Sequence, residues 1–132
     1  MSSSYRGTGA AEFAWKVLAL IRLVNGALAL FAPSWLAGRI GVDPKEQPAV
    51  LYVFRMFGIR TILIAVDLFI HPEGRTRALR EGIIIHGSDT AAASIAFAFG
   101  QLPVRSALTA VAISAVNFSL AVYAYTHRVR ND

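Results

Sequence analysis

Six polar side chains interrupt stretches that are otherwise apolar: Arg22 and Asn25, Arg60, His86 and Asp89, and Asn117. Guanidinium, imidazole, carboxylate and amide groups together suit holding an oxyanion, passing a proton, or forming a buried hydrogen-bonded network. Arg22 with Asn25, and His86 with Asp89, stand three apart, so on a helix each pair shares a face. Asn117 belongs to a stripe of small and polar residues at helical spacing, Ser106, Ala110, Ser114 and Ala121 being the others. His86 beside Asp89 has the form of a base oriented by a carboxylate, but no obvious nucleophile accompanies it. His71 and His127 fall at the ends of apolar segments, too far from His86 to share a metal, so neither a metal nor another cofactor is expected.

These residues must be positioned by long apolar segments. The sequence predicts helices over 13–32, 49–70, 78–99 and 104–126, each about the length that crosses a bilayer. Pro33 closes the first, the Gln47-Pro48 junction opens the second, His71-Pro72-Glu73-Gly74 is a turn, and Gly100 with Pro103 stops the third. Counting at about 1.5 Å per residue, all six polar groups reach a similar depth near mid-span. An ionisable group there costs about 2.5 to 3.5 kcal/mol on insertion scales, which makes the layer a site candidate by default. Arg55 lies nearer one end, where its side chain can reach the interface. Ser88, Ala92, Ala96 and Gly100, at intervals of four, predict the close-packed face of the third segment.

Composition agrees with a membrane setting. Of 132 residues 55% are hydrophobic and 16% charged, with mean hydropathy +0.52, against about 25% charged in a typical soluble domain. The net charge of +5 does not gather into a basic block interleaved with aromatics, which argues against nucleic acid as a partner. There is no cysteine, hence no disulfide and no thiolate chemistry. Short connections predict an all-α, antiparallel four-helix transmembrane bundle over 13–126, flanked by a flexible tail at 1–12 and a short tail at 127–132. Arg6, Lys16, Arg75, Arg77, Arg80, Arg128 and Arg130 stand on the side of the termini, seven against Arg39, Lys45 and Arg105 on the other. That bias predicts both termini in the cytoplasm.

The pattern Arg55-x-x-Gly58-x-Arg60 in the second segment, with Phe31-Ala32-Pro33 ending the first and Asp89 in the third, resembles small bacterial four-helix membrane proteins of unknown function with a DoxX-type layout. Where that pattern places an acidic residue after the arginine, this chain has Thr61. The resemblance implies a multi-pass protein of the bacterial inner membrane and no established reaction. Three functions fit. The first is a non-catalytic accessory or scaffold module, its arginines pairing with membrane lipid, a membrane-protein partner or a second copy. The second is binding or transport of an amphipathic anion, such as a lipid, fatty acid or quinone-like molecule, at the layer of Arg22, Arg60, His86 and Asp89. The third, an intramembrane enzyme using His86 as acid or base, has no recognisable motif behind it.

Overall fold

The structure, a computed structural model, describes residues 6–129. A short strand β1 (Arg6–Gly7) leads into α1 (Gly9–Phe31), α2 (Pro33–Arg39) and α3 (Ala49–Ile70). A 3-10 turn (Pro72–Gly74) leads to α4 (Arg75–Ala98), and then follow α5 (Val104–Thr126) and β2 (Arg128–Val129). β1 pairs antiparallel with β2, Arg6 opposite Val129, so the two ends of the described chain meet. The expected tails at 1–5 and 130–132, Arg130 included, lie outside the described residues.

The first helix starts earlier than residue 13. Thr8 Oγ1 accepts a hydrogen bond from Ala11 N at 3.3 Å, and Glu12 lies in the first turn, where a negative charge suits the helix dipole. This cap makes helix of residues expected to be tail. After Ala32, Pro33 opens the short α2, a helix within the connection between the first two expected spans. Ser106 at the start of α5 donates a hydrogen bond to the Arg39 carbonyl at the end of α2.

Three helices, α1, α3 and α5, are long and apolar enough to cross a membrane. The fourth expected span, α4, has the length but not the apolarity, because Arg75, Arg77, Arg80, Glu81, His86 and Asp89 all fall within it. Three of its hydroxyl groups are satisfied within the helix: Ser88, Thr90 and Ser94 each donate to the carbonyl four residues back at 2.8 Å.

The surface is apolar and the interior small. Leu20, Phe31, Tyr52, Leu63, Ile84, Phe99 and Leu108 are all more than half exposed, whereas the buried core is largely alanine around Leu18, Leu68, Leu79 and Trp15. A water-soluble monomer rarely presents so much contiguous apolar surface. Arg75 is buried at one end of this core, donating from Nε to the Leu68 carbonyl at 2.9 Å while its guanidinium lies 4.0 Å from the centre of the Trp15 ring. It is thus bound into the packing and is not simply a flanking charge.

α1 packs along α3 and along α5, and α4 packs along α5; α3 and α4, although joined by the 3-10 turn, make little contact. The closest crossing is that of α1 with α3, at Gly26 and Gly58: a Cβ added to Gly58 would lie 2.6 Å from the Gly26 carbonyl oxygen. The expected close-packed stripe on α4 is different. Ser88, Ala92 and Gly100 are exposed, since α4 turns another face to α5.

Candidate functional site

Four long helices contribute to one cleft of about 100 Å³. Arg22 and Asn25 line it from α1, Phe57, Thr61 and Ile64 from α3, Ile85, His86 and Asp89 from α4, and Ile113, Ser114 and Asn117 from α5. A single water needs about 10 to 15 Å³ on this kind of measure, so the space suits a small polar head group or a few waters. Of the six residues singled out in the sequence, the structure brings together five: Arg22, Asn25, His86, Asp89 and Asn117.

Arg60 is the exception. The positions on α3 that line the cleft are Phe57, Thr61 and Ile64, a turn apart from one another, and Arg60 stands at their edge with its side chain exposed. No hydrogen bond or ion pair ties it to another described residue, Asp89 included. Of the two arginines expected in the layer, Arg22 alone is buried in the cleft.

Arg22 is 3% exposed, and its partner is His86, 6% exposed. Arg22 donates to His86 Nε2 twice, from Nε at 3.1 Å and from Nη2 at 2.8 Å. A guanidinium has no acceptor, so Nε2 carries the lone pair and the ring proton sits on Nδ1. Nδ1 faces the Asp89 carboxylate, whose Oδ2 is 3.7 Å away and whose side chain is about half exposed. The three groups form a line running from a buried cation, through a neutral imidazole, to a carboxylate at the edge of the cleft.

Two buried atoms in this site have no hydrogen-bond partner: Arg22 Nη1, a donor, and Asn117 Oδ1, an acceptor. Buried polar atoms are normally satisfied, and leaving one unmade costs about 1 to 3 kcal/mol. The leftover donor is on α1 and the leftover acceptor on α5, two helices that pack against each other. Among the described residues no three His, Asp or Glu side chains converge as metal ligands would.

Gly82 is a member of the site that sequence reading did not identify. A Cβ there would lie 2.7 Å from Arg22 Nη2, so this helical glycine makes the space that the guanidinium occupies. Its only signal was a glycine inside a helix, four residues before His86. We expect Gly82→Ala to destabilise the protein by about 1 to 2 kcal/mol, because the guanidinium is held by His86 and cannot swing away freely. In an Arg22→Met background the same change is expected to be neutral or stabilising, by up to about 1 kcal/mol of helix propensity. Thermal unfolding of the four proteins in one detergent checks this; the same loss in both backgrounds would mean Gly82 is not there for Arg22.

Comparison with protein families, curated proteins and solved structures finds no match for the chain. The likeness to DoxX-type proteins rests on its residues alone.

Proposed function

We propose that this chain is a four-helix integral membrane protein that binds the polar head of an amphipathic acid between its helices. The observation that carries the reading is the pair of buried, unpartnered atoms, Arg22 Nη1 and Asn117 Oδ1, in residues lining one cleft. Arg22 offers a charged donor and Asn117 an acceptor, so the head group they suit has both an oxygen lone pair and a hydroxyl hydrogen. A carboxylic acid, a protonated phosphate ester and a quinol-like ring all have them. His86 fixes the guanidinium, and the charges of Arg22 and Asp89 balance to leave the site near neutral overall, which favours an acid carried in its protonated form.

In this reading α4 crosses the membrane with the three apolar helices, His86 and Asp89 turned to the cleft, Ser88, Thr90 and Ser94 bonded to its own backbone, and its other charges gathered in its first two turns. The excess of Lys and Arg on the side of the termini supports a cytoplasmic location for both, in the cell membrane of a bacterium. A second reading draws on Arg55 and Arg60, exposed on α3 without a hydrogen bond or ion pair to any described residue. Such cations suit an accessory module that docks on an acidic group of a membrane partner, a second copy or anionic lipid.

Native mass spectrometry of the protein purified in a gentle detergent tests the binding reading. Wild type is expected to carry an amphipathic adduct, and Asn117→Leu to hold about tenfold less of it while keeping its helix content, as the loss of one hydrogen bond predicts. Wild-type protein with no adduct, even after incubation with dodecanoic acid, would end this reading in favour of the second.

A further inference from the structure

We infer that the hydrocarbon chain of the bound molecule leaves the cleft sideways, between α3 and α4, so that the ligand class is a single-chain amphipath drawn from the bilayer. This rests on the binding site proposed above and adds the direction and shape of its occupant. A groove of about 280 Å³ runs beside the cleft, lined by Leu63, Ile64 and Asp67 of α3 and by Ala78, Glu81 and Ile85 of α4. Ile64 and Ile85 line both spaces, so the cleft and the groove adjoin across these two side chains. It exists because α3 and α4 are the neighbours that scarcely touch.

Unmet hydrogen bonding sets the orientation. The groove carries the carboxylates of Asp67 and Glu81, the first bonded to His71 at 2.6 Å and the second to Arg77 at 2.7 Å. Both carboxylates are thus already partnered, whereas Arg22 Nη1 and Asn117 Oδ1 in the residues of the cleft are not, so the head occupies the cleft and the chain occupies the groove. The lips of the groove suit a chain: Leu63 is 62% exposed and Ile85 38%, both apolar and open to the surroundings of the bundle. Three residues from each helix line about 280 Å³, a space that suits one acyl chain better than the paired chains of a phospholipid.

The test compares two probes, dodecanoic acid and hexanoic acid, on the full chain in detergent by native mass spectrometry. Glu81→Trp fills the groove from α4 and Leu63→Trp fills it from α3, neither residue lining the cleft; Ile84→Trp, at an exposed position that lines neither space, is the control. Both groove variants are expected to lower retention of dodecanoic acid by about tenfold, equivalent to losing contact with about two methylene groups. Hexanoic acid should be retained within about twofold of wild type, and the control should change neither probe. Two outcomes overturn the inference while leaving the head site intact: unchanged dodecanoic acid retention in both variants, or an equal loss of both probes. Absence of binding of either acid to wild type overturns the head site itself, and this route with it.

Discussion

Replacing His86 by leucine is expected to cost about 3 kcal/mol of stability, and replacing Arg22 by methionine as well is expected to return much of it. His86 Nε2 accepts both of the short hydrogen bonds that Arg22 makes, and the two side chains are nearly inaccessible. With leucine in place, a guanidinium already short of one partner loses its other acceptor in a region with little access to water, and a buried charge left without partners is among the most destabilising lesions known. Arg22→Met alone should cost less, about 1 to 2 kcal/mol, because what it strands is a neutral imidazole nitrogen. The double variant leaves no charge to solvate and fills the space with apolar groups of similar bulk, so it should be more stable than His86→Leu alone. Reversible unfolding of the four proteins in one detergent measures the coupling. A double variant as unstable as the sum of the singles would show that Arg22 finds another acceptor when His86 is gone. Arg60→Gln with Asp89→Asn is the matched control and should be additive, as no ion pair links those residues.

The different fates of Arg22 and Arg60 mark what a sequence of this kind discloses. Both are single arginines near the middle of apolar segments, and depth counting treats them alike. What separates them is rotation about the helix axis. Arg22 shares its face with Leu18, Gly26 and Ala29, all buried, so a small-residue stripe around a charge was the available sign of an inward face. α3 is apolar on nearly every side, and of its residues the buried ones are Gly58, Ala65 and Leu68, too few and too widely spaced to fix which way Arg60 points. The paired spacing of His86 with Asp89 and the stripe containing Asn117 were legible for the complementary reason: small or polar neighbours at helical intervals define a face. The sequence-level stripe on α4 misled because small residues are permitted wherever a helix is polar as well as where helices touch. Segment boundaries were legible from proline and glycine, and missed where a side chain capped the helix, as Thr8 does. The open side between α3 and α4 has no sequence signature, since it is a property of which helices pair.

Gly58→Ala is expected to destabilise the protein by about 2 kcal/mol, and the sign of the change is the informative part. In a helix, glycine is inferior to alanine by about 1 kcal/mol, so an unobstructed substitution should be stabilising. Gly38 in α2 is such a site, with nothing within 4 Å of an added Cβ. At Gly58 the added Cβ would meet Gly26 O at 2.6 Å, Leu30 N at 2.7 Å and Ala29 C at 3.1 Å, all of them backbone atoms of α1. None of these can turn aside as a side chain would, so relief requires the two helices to move apart, opening contacts along their whole crossing. Arg22 lies one turn from Gly26 on α1, and a displaced α1 carries its guanidinium away from the space beside Gly82. The variant should therefore lose stability and weaken retention of an acid in the cleft together. Thermal unfolding and native mass spectrometry on the same samples read both. If Gly58→Ala and Gly38→Ala shift the unfolding temperature in the same direction, the backbone contact between α1 and α3 is not what holds the site in register.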